Sequence, residues 1–81
     1  MKTFSLKIIS KEKTIYDGSA ELLIVPCESG YLGVLADHAP LIGNLKAGKI
    51  TIKDAQGRQS EIDLNDDGSI EVLKNNVKIL L

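Results

Sequence analysis

Apolar and polar residues alternate from the start of the chain: Phe4, Leu6 and Ile8 interleave with Ser5, Lys7 and Ile9. A period of two marks a half-buried strand. Ser10–Lys13 is a polar turn, and Thr14-Ile-Tyr16 reads as a short strand stopped by Asp17-Gly18, a turn dipeptide. Leu22-Leu-Ile-Val25 is an unbroken apolar run ended by Pro26, the pattern of a strand buried on both faces. After a turn at Cys27–Gly30, two short strands at Leu32–Leu35 and Leu41–Leu45 flank a compact corner at Ala36–Pro40. Lys46–Gly48 leads into Lys49–Lys53, with Ile50 and Ile52 inward. Asp54–Gly57 makes a hairpin loop, and Gln59–Leu64 alternates again, with Ile62 and Leu64 inward. Asn65-Asp-Asp-Gly68 is the strongest turn signal. Ile70–Val72 and Val77–Ile79 are the last strands, joined by Lys74–Asn76. The pattern predicts an all-β fold, a flattened sandwich or barrel of about eight to ten short strands, in one domain spanning residues 1–81.

The stretch Gly30–Gly43 stands apart from this regularity. It holds three of the seven glycines, one of the two prolines and the single histidine, with apolar residues filling most of the rest. Gly33 and Pro40 exclude a helix. Asp37 can hydrogen-bond back to the backbone of a turn, and Pro40 pushes Ala39 toward an extended conformation. Apolar residues at so constrained a corner suggest a surface shaped to be buried, against the chain's own core or against a partner.

Composition narrows the function classes. With 43% hydrophobic residues, one phenylalanine and no tryptophan, the core must be mostly aliphatic. The net charge is −1 and no basic run occurs, so a nucleic-acid footprint is not expected. A lone cysteine, Cys27, cannot form an internal disulfide, which fits a reducing compartment. The first residues alternate instead of building a signal peptide, and no apolar run approaches the ~20 residues that span a bilayer. A soluble chain is expected, associated with a membrane only through a partner.

Candidate chemistry is sparse. Asp37-His38 is the one pair that looks like an acid–base couple. A turn aspartate beside a packing histidine explains it better, because no serine or cysteine has the context of a nucleophile. One histidine and one cysteine are too few for a metal site. Asp66-Asp67-Gly68 lacks the glutamate spacing of a calcium loop, and Gly30–Gly33 has no lysine and no following helix to form a phosphate loop. No catalytic residue, metal or cofactor is expected.

Four segments together resemble a known family, the epsilon subunit of F-type ATP synthases, in its N-terminal β-sandwich. They are Leu6-Lys-Ile-Ile-Ser10 with Tyr16-Asp-Gly18; Gly30-Tyr-Leu-Gly-Val-Leu-Ala-Asp-His-Ala-Pro-Leu41; Leu45-Lys-Ala-Gly48 with Ile50; and Gly68-Ser-Ile-Glu-Val72 with Asn75-Asn-Val77. The second is similar to the family's Gly-x-x-Gly-(Ile/Val)-x-x-x-His-Ala-Pro. The resemblance implies a non-catalytic central-stalk rotor subunit of a proton-translocating ATP synthase, coupling the gamma subunit to the ring of c subunits. It implies a peripheral place on the cytoplasmic face of a bacterial inner membrane. It also implies two contact sets: Ser10, His38, Ala39, Pro40, Leu41 and Gly43 toward gamma, and Ser29, Gly30, Tyr31 and Leu32 toward the c-ring. Facing different partners, the two sets are expected to act independently. Two departures stand out: Tyr31 replaces a frequent acidic residue, and Ala36-Asp37 replaces the family's Pro-Gly before the histidine. Typical family members also continue into a two-helix hairpin, whereas this chain stops at Leu81, either as a natural short form or as an excised sandwich domain that lacks the hairpin. A free-standing β-sandwich adaptor for another partner, or a small hydrolase using Asp37-His38, are the alternative readings.

Overall fold

The computed structural model describes residues 2–81 and is built from strands. They are β1 (Phe4–Ile9), β2 (Thr14–Cys27), β3 (Gly30–Val34), β4 (Leu41–Leu45), β5 (Gly48–Asp54), β6 (Gln59–Leu64), β7 (Gly68–Leu73) and β8 (Asn76–Leu80). The all-β expectation holds, at the lower end of the expected strand number.

β2 connects everything. Its first half pairs antiparallel with β1, from Phe4 opposite Ala20 to Ile9 opposite Thr14. Its second half pairs with β3 on one edge and β5 on the other, since Leu23 lies opposite both Val34 and Ile52. One layer therefore runs β1-β8-β7-β4 and the other β3-β2-β5-β6. β1 and β8 pair in parallel, with Leu6 opposite Val77 and Ile8 opposite Ile79. The inward phase of each strand fills the space between the layers: Phe4, Leu6, Ile8, Leu45, Ile70, Val72, Val77 and Ile79 meet Leu23, Val25, Val34, Ile50, Ile52 and Leu64. With one phenylalanine among them, this core is aliphatic, as the composition requires.

Asp17-Gly18 does not turn the chain. Both residues sit inside the fourteen-residue β2, opposite Lys7 and Leu6. Tyr16 covers the missing side chain: its Cε1 and hydroxyl lie 3.7 Å from where a Gly18 Cβ would stand. The hydroxyl donates to the Ser19 carbonyl at 3.1 Å. An aromatic ring laid over a strand glycine compensates for its bareness, and a full ladder to β1 outweighs the local turn preference. Leu22–Val25 differs as well. Leu23 and Val25 are fully enclosed, but Leu22 and Ile24 on the other face are only half-buried. A register shift between Ala20 and Leu22 bulges β2 at Glu21. The buried Glu21 carboxylate meets Lys53 Nζ at 3.2 Å.

The tight turns follow their chemistry. Glu28-Ser29 joins β2 to β3, with Gly30 at φ 125°. Asp54 Oδ1 accepts the Gln56 and Arg58 amides around Gly57, itself at φ 83°. Lys74 and Asn75, at φ 49° and 61°, give the β7–β8 hairpin two consecutive left-handed residues, the type I′ pattern that matches strand twist.

Candidate functional site

The corner between β3 and β4 is a β-turn. The His38 amide donates to the Leu35 carbonyl at 3.2 Å. Asp37, third of the four turn residues, has φ 64°, while Ala36 does not enter the positive-φ region. That is the pattern of a type II turn, which favours proline at the second position and glycine at the third. Here Ala36 and Asp37 fill those places. The Asp37 amide donates to Asn75 Oδ1 at 2.5 Å, and Asn75 Nδ2 donates to Asp37 Oδ1 at 2.9 Å. Lys2 Nζ meets Asp37 Oδ2 at 2.7 Å. The Lys2 and Asn75 hydrogen bonds, with the lysine's charge, hold the Asp37 carboxyl below its ordinary range, and the same partnership raises Lys2.

His38 is half-buried, and its Nδ1 lies 2.7 Å from the Ala39 carbonyl oxygen. The Asp37 carboxylate therefore goes to Lys2 and Asn75 and the imidazole to Ala39. The neighbours do not form a carboxylate–imidazole dyad. Among the described residues no cluster of three or more metal-binding side chains occurs. No helix there is long and apolar enough to cross a membrane.

Beside the corner lies a groove of about 640 Å³, floored by Cys27, Leu32, Leu41 and Gly43 and rimmed by Tyr31 and His38. β3 pairs only with β2, and β4 meets β2 only where Leu45 lies opposite Cys27. The two strands leave a seam in which their inward phase is incompletely covered. Tyr31 is 64% exposed, and its hydroxyl lies over Gly48, 3.3 Å from where a Cβ would stand. The hydroxyl thus reaches the start of β5 while most of the side chain stays open to solvent.

The structure gathers most of the residues singled out in the sequence. Ser29, Gly30, Tyr31 and Leu32 share this groove with His38, Leu41 and Gly43. Ala39 and Pro40 are exposed on the corner itself. Ser10 stands apart, in a depression with Lys11, Glu12, Asp66, Asp67 and Leu81. It follows β1, three strands from β4 in the same layer, roughly 14 Å away at the usual strand spacing. Sequence reasoning missed Lys2 and Asn75, the partners of Asp37. It did not single out Ile42 within β4, 81% exposed on the outer face and lining a shallow depression with Pro40 and Leu73. The signal for Ile42 was present: Leu41, Gly43 and Leu45 hold the inward phase, so Ile42 falls on the polar one.

Residues 3–81 match the family model of the ATP synthase delta/epsilon chain β-sandwich domain. An ATP synthase epsilon chain of Xanthomonas euvesicatoria is 40% identical over 81 residues, covering all of this chain and 57% of that protein. A sodium-ion-specific ATP synthase epsilon chain of Propionigenium modestum is 35% identical over 80 residues, covering 99% and 57%. The chain thus spans little more than half the length of these relatives. A chain in the Euglena gracilis mitochondrial ATP synthase assembly of OSCP, F1 and c-ring superimposes with a TM-score of 0.89 at 19% identity, over 96% of this chain and 49% of that one, a likeness of fold. From the match of sequence over residues 3–81, the chain belongs to the β-sandwich domain family of ATP synthase delta/epsilon chains.

Proposed function

We propose that this chain works as a central-stalk part of an F-type ATP synthase, coupling the gamma subunit to the c-ring without catalysis of its own. The observation that carries the reading is its family membership over residues 3–81, with relatives named ATP synthase epsilon chain. The groove supports it. A mechanical coupling piece needs a stiff body and a docking surface, and here an enclosed aliphatic core sits beneath a seam with apolar floor and aromatic rim. Ser29–Leu32 is the c-ring side of that seam; His38–Leu41 and Gly43 are the gamma side. Ser10 widens the gamma footprint across the layer, a reach that a standard interface covers. Proton coupling and a peripheral place at the cytoplasmic face of a bacterial inner membrane, held through the complex, belong to the same proposal.

Reconstitution tests it. The purified chain is mixed with gamma and with a gamma–c-ring rotor and followed by co-elution. Retention by gamma, strengthened when the c-ring is present, is the expected result. Failure to co-elute with either, under conditions where a bacterial epsilon chain does, would leave a free-standing adaptor as the better reading.

A further inference from the structure

The geometry points to a clasp between Asp37 and Asn75 that sets the position of the His38–Pro40 corner and so presents the docking groove. Its binding arm rests on the stalk reading above.

Both residues lie in the left-handed region, at φ 64° and 61°. Aspartate and asparagine are the side-chain-bearing residues that enter this region most readily, yet glycine enters it free of strain. What glycine lacks is a side chain, and here both side chains are used. They join two turns that lie 38 residues apart in sequence, through one bond in each direction: the Asp37 amide to Asn75 Oδ1, and Asn75 Nδ2 to Asp37 Oδ1. Lys2 closes the remaining carboxylate oxygen.

The anchor end is firm. The Asn75 carbonyl accepts the Ser5 amide at 2.8 Å, which fixes the β7–β8 turn to β1. The corner end has the single turn bond from the His38 amide, long at 3.2 Å. The family pattern that this chain resembles places Pro-Gly here, a pair rigid by its own dihedral limits. Ala36-Asp37 lacks the proline's constraint, and the bridge to Asn75 supplies it from outside the turn. Asp37 and Asn75 are therefore positioning residues: they act through the backbone that carries His38, Ala39 and Pro40.

The test uses Asp37→Asn, Asn75→Asp and the double exchange of the two. Every variant keeps residue types that tolerate positive φ, so backbone strain stays nearly constant. Asn75→Asp sets carboxylate against carboxylate, whereas the double exchange restores an amide facing a carboxylate. Amide hydrogen exchange at Asp37 and His38 should run about 3- to 10-fold faster in Asn75→Asp and recover in the double exchange. Affinity for gamma should fall and recover in parallel, with the melting curve as folding control and His38→Ala as the check on docking. Unchanged exchange in Asn75→Asp overturns the clasp. Faster exchange with unchanged affinity, while His38→Ala does weaken binding, overturns its role in presentation. Unaltered binding by His38→Ala overturns the docking reading instead, and exchange alone then decides the clasp.

Discussion

A carboxylate placed at Val34 would meet no water, because that side chain is completely enclosed between Leu23 and the facing layer. Burying an unpaired charge costs several kcal/mol, comparable to the whole stability of a small domain. Val34→Asp should therefore unfold the chain, read as loss of the cooperative melting transition. Ile24 differs: it is half-buried on the outer face of β2, so Ile24→Asp should cost only about 1–2 kcal/mol and lower the melting temperature without abolishing the fold. The continuous run Leu22–Val25 conceals this difference, since a period of two cannot be read where every residue is apolar. The Asp37–Lys2 pair yields a second expectation at this scale. Asp37 is depressed from an ordinary 3.8, so its contribution is present above that pH and lost as pH falls through the lowered value. Lys2 is raised from 10.5, so its contribution is full below that pH and lost as pH climbs through the raised value. The urea midpoint difference between the natural chain and Lys2→Ala should thus be flat from about pH 5 to 10 and shrink at both extremes. Because both side chains are more than half exposed, it should also shrink in high salt. A difference that survives molar salt would mean that Lys2 acts by packing instead of charge.

At the scale of the element, glycines separate what is written locally from what the fold imposes. A Cβ on Gly18 would rest in ordinary contact with the Tyr16 ring, at 3.7 Å. Gly18→Ala should be neutral or stabilise by up to about 1 kcal/mol, since glycine is a poor strand residue. A Cβ on Gly48 would stand 2.8 Å from Pro26 Cβ, with the Tyr31 hydroxyl close behind. Gly48→Ala should cost about 1–3 kcal/mol through displacement of β5 from the end of β2. Chemical denaturation of the two variants checks the contrast, and equal losses would refute it. The strands whose apolar and polar residues alternate, such as Phe4–Ile9 and Lys49–Lys53, were legible in the sequence because one face is enclosed and the other wet. Asp17-Gly18 was not, because its turn preference is local and the ladder that overrides it comes from β1. The His38 corner was legible as a corner from Pro40 and the surrounding glycines. Its fastening was not, because Lys2 and Asn75 lie 35 and 38 residues from Asp37 and no short-range pattern links them.

At the scale of the whole molecule, Tyr31 and His38, which the sequence assigns to different partners, line one groove. Under the proposed stalk role, Tyr31→Ala should weaken association with the rotor by roughly 1–3 kcal/mol, as truncation of an aromatic anchor does. Tyr31→Ala and His38→Ala together should not add, because the two side chains line one cavity and share the water it holds. A coupling energy of at least about 0.5 kcal/mol in the double-mutant cycle is the expected reading, and strict additivity would separate the two seams again. The parallel partnership of β1 with β8 bears on a different question, how the chain reaches this state on a ribosome. Phe4, Leu6 and Ile8 emerge some seventy residues ahead of Val77 and Ile79, for which one whole edge of their strand waits. Until those residues clear the exit tunnel, β3, β5 and β6 can already gather on β2, but β1 keeps one edge unpaired and its own layer stays open. Such a chain commits to its native shape late, and in the interval its first strand is the one most exposed to chaperones and to misplaced pairing with a neighbouring nascent chain.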